Sequence, residues 1–455
     1  MSSLFGSLSI SLRALLAQQA AVETTTDNIA NMNTPGYSRR RVVLEEDEPV
    51  FNGSYTEPRG VHLEKIESIR DRVLQLRILD ETQQQSASNS LVNAMEPVEQ
   101  YFTDGDGAIG AELNNFFNAL SALSPDPSNT GLRTGVLTAA GNLANVVQST
   151  ANNLVDAQQQ ADRSITQAVT QVNQLTQQIA ALNQSISAKI KLGQDSGALE
   201  DQRDVVIRQL AGLVDVSVMD DTEGLTLSTS NGSPLVVGGK AFTLDPQVDA
   251  SGKVAIYSQG SDITSTLKYG QIGGLLDARD NHIAPLLSQL DTFAKSFTDA
   301  MNTAHAAGFD SNGDAGGDLF QPIAVTQGAA ASMGLAIQDP SLLAASSDGS
   351  AGDSRNLAGL IALQNGAIID GSTPGNYYAG IVFQAGTSVA NAKAASDAGD
   401  LMLQQLDNQR GAISGVSLDE ETANLIRFQR AYEAAARVVS VISDLTEQAI
   451  NLGRN

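Results

Sequence analysis

The sequence predicts a mainly α-helical protein with a small β insertion: a long helical-bundle scaffold whose N- and C-terminal helices pair as a coiled coil, with a minor β-rich outer domain. Three observations point there. Near the N-terminus, Phe5, Leu8, Leu12, Leu15, Gln19, Val22, Thr26 and Ile29 recur at alternating spacings of three and four. Near the C-terminus, Leu425, Phe428, Tyr432, Ala435, Val439, Ile442, Thr446 and Ala449 do the same. Such a repeat every 3.5 residues is a coiled-coil seam. Between them, residues 214–270 change to short apolar runs separated by Gly, Asn and Asp, which is a β pattern. Matching seams at opposite ends suggest termini that pair with each other or with neighbouring copies, as in an assembly subunit.

Residues 2–31 form one amphipathic helix, ended by Asn31-Met32-Asn33-Thr34-Pro35-Gly36-Tyr37. Asn tolerates a left-handed backbone, and Pro35-Gly36 suits the centre of a type II turn. Arg39 to Glu46 reads as extended. Helical spacing returns over 68–102 with Ile69, Val73, Leu76 and Leu79, before a loop at Asp104-Gly105-Asp106-Gly107. A helix over 114–123 stops at Ser124-Pro125-Asp126-Pro127. Residues 130–192 form a very long helix or a pair, with a seam at Ala161, Ile165, Ala168, Val172, Leu175, Ile179, Leu182 and Ile186 and a Gln-rich solvated face opposite. A helix comes next over 198–213. After the insertion come a helix over 274–307, a Gly/Asp loop over 308–318, weak strand signals to about 345, and a long helical tail after Tyr377-Tyr378. The resulting partition is 1–40 (N-terminal coiled-coil helix), 41–213 (helical scaffold, first half), 214–270 (β-rich outer insertion), 271–414 (scaffold, second half, with short strands) and 415–455 (C-terminal coiled-coil helix).

Composition narrows the partners. Of 455 residues, 27 are Lys or Arg and 51 are Asp or Glu, a net charge of −24. Nucleic acid and anionic membrane are polyanions, so neither is an expected partner. There is no Trp, aromatic content is 4%, and the absence of Cys excludes disulfides and thiolate chemistry. No apolar run reaches the roughly 18–20 residues that span a bilayer, and Met1 to Gln19 lacks the pattern of a cleaved signal. The expected location is therefore the cytoplasm, or an exterior reached without a Sec signal.

Candidate chemistry is weak throughout. Asp310-Ser311-Asn312-Gly313-Asp314 resembles the start of a calcium loop, but Ala315 and Gln321 stand where Gly and the bidentate Glu belong; a Gly/Asp turn is the better reading, with ion binding over 310–321 left open. Gly238-Gly239-Lys240 fails as a phosphate loop, because Pro234 and Ala241 occupy its other fixed positions. His62, His282 and His305 have no metal-ligand spacing. Asp201-Gln202-Arg203-Asp204 reads as a helix start whose charges pair locally. No catalytic, cofactor or metal residues are assigned, and the chain is not expected to be an enzyme. The candidate site is instead an assembly interface: Leu8, Leu12, Leu15, Val22 and Ile29 with Leu425, Phe428, Tyr432, Val439 and Ile442. Six covered N-terminal seam residues would contribute on the order of 10 kcal/mol, so the termini are expected to gain order when copies assemble.

Ile29 to Tyr37, behind an amphipathic helix, resembles the N-terminal signature of bacterial flagellar rod, hook and hook-associated proteins, carried by Asn31, Thr34, Gly36 and Tyr37. Gly415-Val416-Ser417-Leu418-Asp419-Glu420-Glu421 and Asn424 to Tyr432 look like their C-terminal signature. Leu199 to Asp204, His305 with Gly308 to Phe320, and Gln338 to Gly349 resemble one branch, the hook-associated protein 1 family of the hook–filament junction. The resemblance implies a structural role in the flagellum, assembled as a ring of its own copies between hook protein and the next hook-associated junction protein. It implies type III export from the cytoplasm to the cell exterior, with an export chaperone on the C-terminal helix. The insertion is short for that family, implying a reduced outer domain. The alternatives are a hook or distal-rod protein and a secreted binding protein or adhesin.

Overall fold

The computed structural model describes residues 2–452 apart from 53–54, 58, 103–104, 106 and 222–223. The side chain of Phe5, and Asp104 and Asp106 of the 104–107 loop, lie outside the described residues. Helix α1 (Ser2–Ala30) leads into four strands, β1 (Arg40–Glu46), β2 (Val50–Asn52), β3 (Tyr55–Glu57) and β4 (Val61–Ser68). β1 pairs antiparallel with β4, and β2 with β3, so one ribbon folds back under α1. The sequence marks only the extended stretch at 39–46 and assigns 41–213 to helical scaffold, so the ribbon is a correction. A two-stranded ribbon buries little, and its charges alternate with half-buried residues, as in the facing pair Arg41–Glu67 (3.0 Å), so the apolar pattern that marks a strand is faint.

Helix α2 (Arg72–Gln100) is capped by Asp71, which accepts from the Leu74 amide at 3.0 Å. Then come α3 (Ile109–Leu123) and α4 (Thr130–Lys191). α4 is one helix of 62 residues, not a pair, and therefore about 93 Å long. Its capping residue, Asn129, accepts from the Leu132 amide. α5 (Gly197–Leu213) runs back beside it.

The insertion forms two small antiparallel sheets. One holds β5 (Ser217–Asp221), β6 (Gly224–Ser228), β7 (Pro234–Val237) and β8 (Lys240–Ala241); the other holds β9 (Leu244–Val248), β10 (Val254–Ser258) and β11 (Ser261–Asp262). Helix α6 (Gly270–Asp277) continues through a single π-helical turn, 278–283, into α7 (Ala284–Ala306). Beyond lie the short α8 (Ala329–Ser332) and α9 (Arg355–Ala362), then α10 (Pro374–Ser414) and α11 (Leu418–Leu452). The weak strand signals up to 345 correspond only to isolated bridges, such as Phe320 with Leu335.

Two cores share α4 as their spine. The first packs Val136, Leu143, Val147 and Leu154 of α4 against α3 and α7. Five phenylalanines concentrate there: Phe116, Phe117, Phe293, Phe297 and Phe320, with ring centroids 5.4 to 6.3 Å apart. The second core packs the predicted seam of α4, including Ile165, Val172 and Ile179, against α5, α6 and the insertion. Arg279, 3% exposed in the π turn, sits between the cores, paired with Asp162 of α4 and donating to the Val254 carbonyl at 2.7 Å.

The insertion is not decoration. Leu227, Val236 and Ile256 are fully buried in the second core. The Asn173 amide group exchanges two 2.8 Å bonds with the Leu244 backbone. Asn183 donates to the Leu225 and Gly238 carbonyls at 3.0 and 2.8 Å. Thus two asparagines on the buried side of α4, Asn183 only 4% exposed, hold the sheets. Excising residues 220–265 strips the cover from Ile165, Val172 and Ile179, and the expected result is loss of soluble, cooperatively folding protein. A deletion variant that unfolds at the wild-type denaturant midpoint would show that α5 and α6 suffice.

Candidate assembly interface

The signature turn begins where α1 runs out of helix-compatible sequence. The Tyr37 amide donates to the Thr34 carbonyl at 3.2 Å, closing a turn around Pro35 and Gly36. Gly36 has φ +84°, which the third position of a type II turn requires. A Cβ there would also collide with the Val205 side chain of α5, so the turn seats directly on that helix. The other signature side chains act locally: Asn31 donates to Asp27, and Thr34 to Asn31.

Asn28, 1% exposed, is the centre of a buried polar network. Its side-chain oxygen accepts from the Tyr37 hydroxyl (2.8 Å) and the Arg40 amide (2.9 Å). Its amino group donates to the Arg40 carbonyl (2.8 Å) and to Glu421 of α11 (3.0 Å). Every hydrogen-bonding position of the amide is thus directed. Glu421, 2% exposed, also pairs with Arg39 at 2.7 Å, and Arg39 reaches Glu420 at 2.8 Å. The Arg39 amide donates to the Ser414 carbonyl at the end of α10. Burial, reinforced by the Asp27 carboxylate, pushes the Tyr37 phenol well above its ordinary value, so it remains a donor.

A second layer fixes this centre to the scaffold. Asp201 of α5 accepts from the Ser38 amide (3.2 Å) and pairs with Arg70 (2.8 Å). Arg70 also holds Glu200 and donates to the Gly197 carbonyl at 2.9 Å. Burial opposes ionisation of Glu200, but the Ser196 hydroxyl and Arg70 outweigh it and hold the carboxyl below its usual range. Arg203 donates to Asn183 (3.1 Å), and Asp204 accepts from Gln75 (3.2 Å). The sequence predicts that the charges of 201–204 pair locally; instead their partners come from the end of β4, α2 and α4. Three separated motifs, 29–37, 199–204 and 415–421, meet in one polar hub. All three are visible in the sequence as separate signatures, but their junction is not, and Asn28, Arg39 and Arg70 escape notice there. The available signal is that basic residues lie just beyond one motif while acidic residues dominate the other two.

From the hub, α1 and α11 run together as an antiparallel hairpin, since Asn28 near the end of one touches Glu421 near the start of the other and the two pack extensively. The C-terminal seam faces the partner helix: Ile442 is buried and Leu425, Phe428 and Val439 are half-buried, while Tyr432 is 37% exposed. The N-terminal seam does not. The buried residues of α1 are Ser11, Ala17, Ala21, Thr24, Thr25 and Asn28, centred about 120° round the helix from the large apolar residues. Leu8, Leu15, Val22 and Ile29 are half-buried, and Leu12 is 50% exposed. Small side chains let α1 approach α11 and the β1–β4 ribbon closely, which turns the leucines outward. The paired helices thereby expose Leu12 and Leu16 on one, and Val438, Val441 and Leu445 on the other.

Three family descriptions match this chain: the flagellar hook-associated protein FlgK helical domain over residues 95–320, the flagellar basal body rod FlgEFG protein C-terminal region over 409–452, and the flagella basal body rod protein over 8–37. The flagellar hook-associated protein 1 of Bacillus subtilis is 29% identical over 500 positions, spanning 99% of each chain. That of Escherichia coli is 26% identical over 538 positions, spanning 97% of this chain and 98% of the relative. The chain is similar along nearly its whole length to flagellar hook-associated protein 1. Both alignments exceed the 455 residues here, so these relatives carry additional segments. The flagellar hook junction protein FlgK from Burkholderia pseudomallei has the same fold, with a TM-score of 0.68 at 17% identity over 74% of this chain and all of that one. The family is one of flagellar structural proteins, and no described helix is long and apolar enough to cross a membrane.

The other sequence candidates have structural roles here. Asp310 accepts from the amides of Asn312 and Asp314 and from the Asn312 side chain, closing its own loop. Gly238 and Gly239 form the β7–β8 turn, and Lys240 opens β8. Among the described residues, no group of three or more His, Asp or Glu side chains is arranged to hold a metal ion. His305 is fully buried: Nδ1 donates to the Gly317 carbonyl (2.7 Å) and Nε2 accepts from the Ala344 amide (2.9 Å). Burial lowers its pKa. Only neutral imidazole can accept at Nε2, so this latch stabilises the 308–346 segment fully above the unfolded pKa of about 6.5 and progressively less as pH falls below it. The denaturant midpoint should therefore drop between about pH 8 and about pH 5.5, and His305→Gln should remove that part of the slope. An unchanged slope would place the pH sensitivity elsewhere.

Proposed function

We propose that this chain is the structural subunit of the hook–filament junction, assembled as a ring of its own copies through the paired terminal helices. Hook protein lies below the ring and the next hook-associated protein above. The single observation that carries the reading is the α1–α11 hairpin: fixed by the hub, yet exposing leucines on α1 and valines and a leucine on α11. A lone subunit has no use for such edges in water, whereas a neighbouring hairpin covers them. They are also what an export chaperone on α11 would shield in the cytoplasm before type III export to the cell exterior. The interior match to the FlgK helical domain favours the junction over a hook or distal-rod role, because the matches at the two ends are to rod-protein descriptions.

Electron microscopy of cells lacking this gene tests the proposal. Complete hooks without filaments, with flagellin in the medium, are expected. Absent or short hooks would point to the rod or hook role, and normal filaments would overturn both. The interface itself has a sharper test. Leu12→Asp places a charge on an exposed position, so the protomer should keep its stability to within about 0.5 kcal/mol while junctions fail to form. Val439→Asp lies half-inside the hairpin and should lower the protection of α1 and α11 as well. Normal junctions in Leu12→Asp would remove α1 from the interface.

A further inference from the structure

Away from the terminal helices, two exposed apolar patches of opposite charge lie on separate helices of the scaffold. The first is the end of α4, where Ile190 is 60% and Leu192 71% exposed. Lys189 and Lys191 flank them in a chain of net charge −24. Lys191 makes no ion pair among the described residues, and Lys189 reaches only the Asp195 carbonyl at 3.3 Å. The second is the outer face of α10, where Leu401 is 69% and Met402 45% exposed beside Asp397 and Asp400. Asp397 has no ion pair among the described residues, and Asp400 accepts only from the neutral Gln85.

Their placement is what makes them a pair. A chain of contacts runs across the bundle: Leu406 of α10 packs on Leu74 and Ile78 of α2, Gln75 of α2 bonds Asp204 of α5, and Arg203 of α5 bonds Asn183 of α4. α10 and the end of α4 are therefore outer flanks, with α2 and α5 between. The α4 patch lies beside the hub, and the α10 patch lies further along the scaffold. Asp195, just beyond the α4 patch, is 4.0 Å from Arg40. Leu401 is nine residues from Arg410, roughly 14 Å along the helix, and Arg410 lines a cavity with Pro35 and Gly36. Two different, complementary patches on separate flanks form a heterologous contact, the type that makes a ring when its rotation closes.

We propose that the Lys189–Leu192 end of α4 in one copy docks on the Asp397–Met402 face of α10 in the next, a lateral contact of the scaffold additional to the terminal helices. This rests on the ring assembly proposed above. Lys191 meets Asp397, and Ile190 and Leu192 cover Leu401 and Met402. Hot spots of this kind bury a small apolar centre within a charged rim.

The chain has no native cysteine, so the contact can be trapped cleanly. Flagella carrying Leu192→Cys together with Leu401→Cys, treated with a short thiol-to-thiol cross-linker, should give a ladder of covalent multimers. Flagella carrying either single substitution should give none. Assembled double-variant chain that stays monomeric would overturn the lateral contact and leave the junction reading standing. Absence of the wild-type chain from flagella would instead sink the junction reading. Charge exchange covers the case in which the cysteine variant is not incorporated. Lys191→Glu should lose most filament-bearing hooks, and adding Asp397→Lys should restore them. A combined variant no better than Lys191→Glu alone would reject the pairing.

Discussion

Asn28→Ala will detach the paired terminal helices from the scaffold while both cores remain folded. The substitution removes four hydrogen bonds at once and leaves the Arg40 backbone, the Tyr37 hydroxyl and the Glu421 carboxylate facing a void. Unsatisfied buried polar groups cost about 1–3 kcal/mol each, more when charged, so the local cost is on the order of 3–5 kcal/mol. Neither core contains Asn28, so the loss stays in the terminal unit. Hydrogen exchange would show lost protection in α1 and α11 with the scaffold amides unchanged. Asn28→Asp is the informative companion: nearly the same size, but a carboxylate set against Glu421 and unable to donate to Arg40. It should release the helices as well. Full protection of α1 and α11 in both variants would mean that side-chain packing along the hairpin, not the hub, holds the termini in place.

The largest effect on the scaffold itself is expected from Phe297→Ala. Phe297 is fully buried, lies parallel to Phe293 at 5.8 Å, and meets Phe116, Phe117 and Phe320 edge-on or nearly so. Truncation removes the member shared by these ring contacts and opens a cavity between α3 and α7, at a cost of about 3–5 kcal/mol. Phe383→Ala is the control, since Phe383 is 75% exposed and its removal should stay within about 0.5 kcal/mol. Denaturant midpoints of the two variants should separate clearly. Similar midpoints would mean that the first core closes over the missing ring.

The hub, the hairpin and the two cores divide the work. The cores set the scaffold's rigidity along α4. The hub converts that rigidity into a fixed direction for the hairpin, because Asn28, Arg39 and Glu421 join α1, β1 and α11, while Ser38 and Arg70 join them to α5. The hairpin then carries apolar edges outward to neighbouring copies in the proposed ring.

Much of this architecture was determined by the sequence alone. The 3.5-residue repeats marked both terminal helices, the seam at 161–186 marked the buried face of α4, and Pro35-Gly36 marked the turn, because periodicity and turn chemistry are local properties of the chain. Which face of α1 turns inward was decided only by tertiary structure. Hydrophobicity ranked Leu8, Leu12 and Leu15 as the seam, but close approach to α11 and the ribbon favours Ala17, Ala21 and Thr24. The partners of Asp201 and Asp204 were likewise invisible. A charge attracts any opposite charge, and the choice fell to Arg70 and Gln75, which lie 131 and 129 residues away along the chain. The β1–β4 ribbon was obscured for a related reason: it buries too little apolar surface to impose a pattern. Periodic burial is written along the chain, whereas the selection of contacts is made by the distances the fold creates.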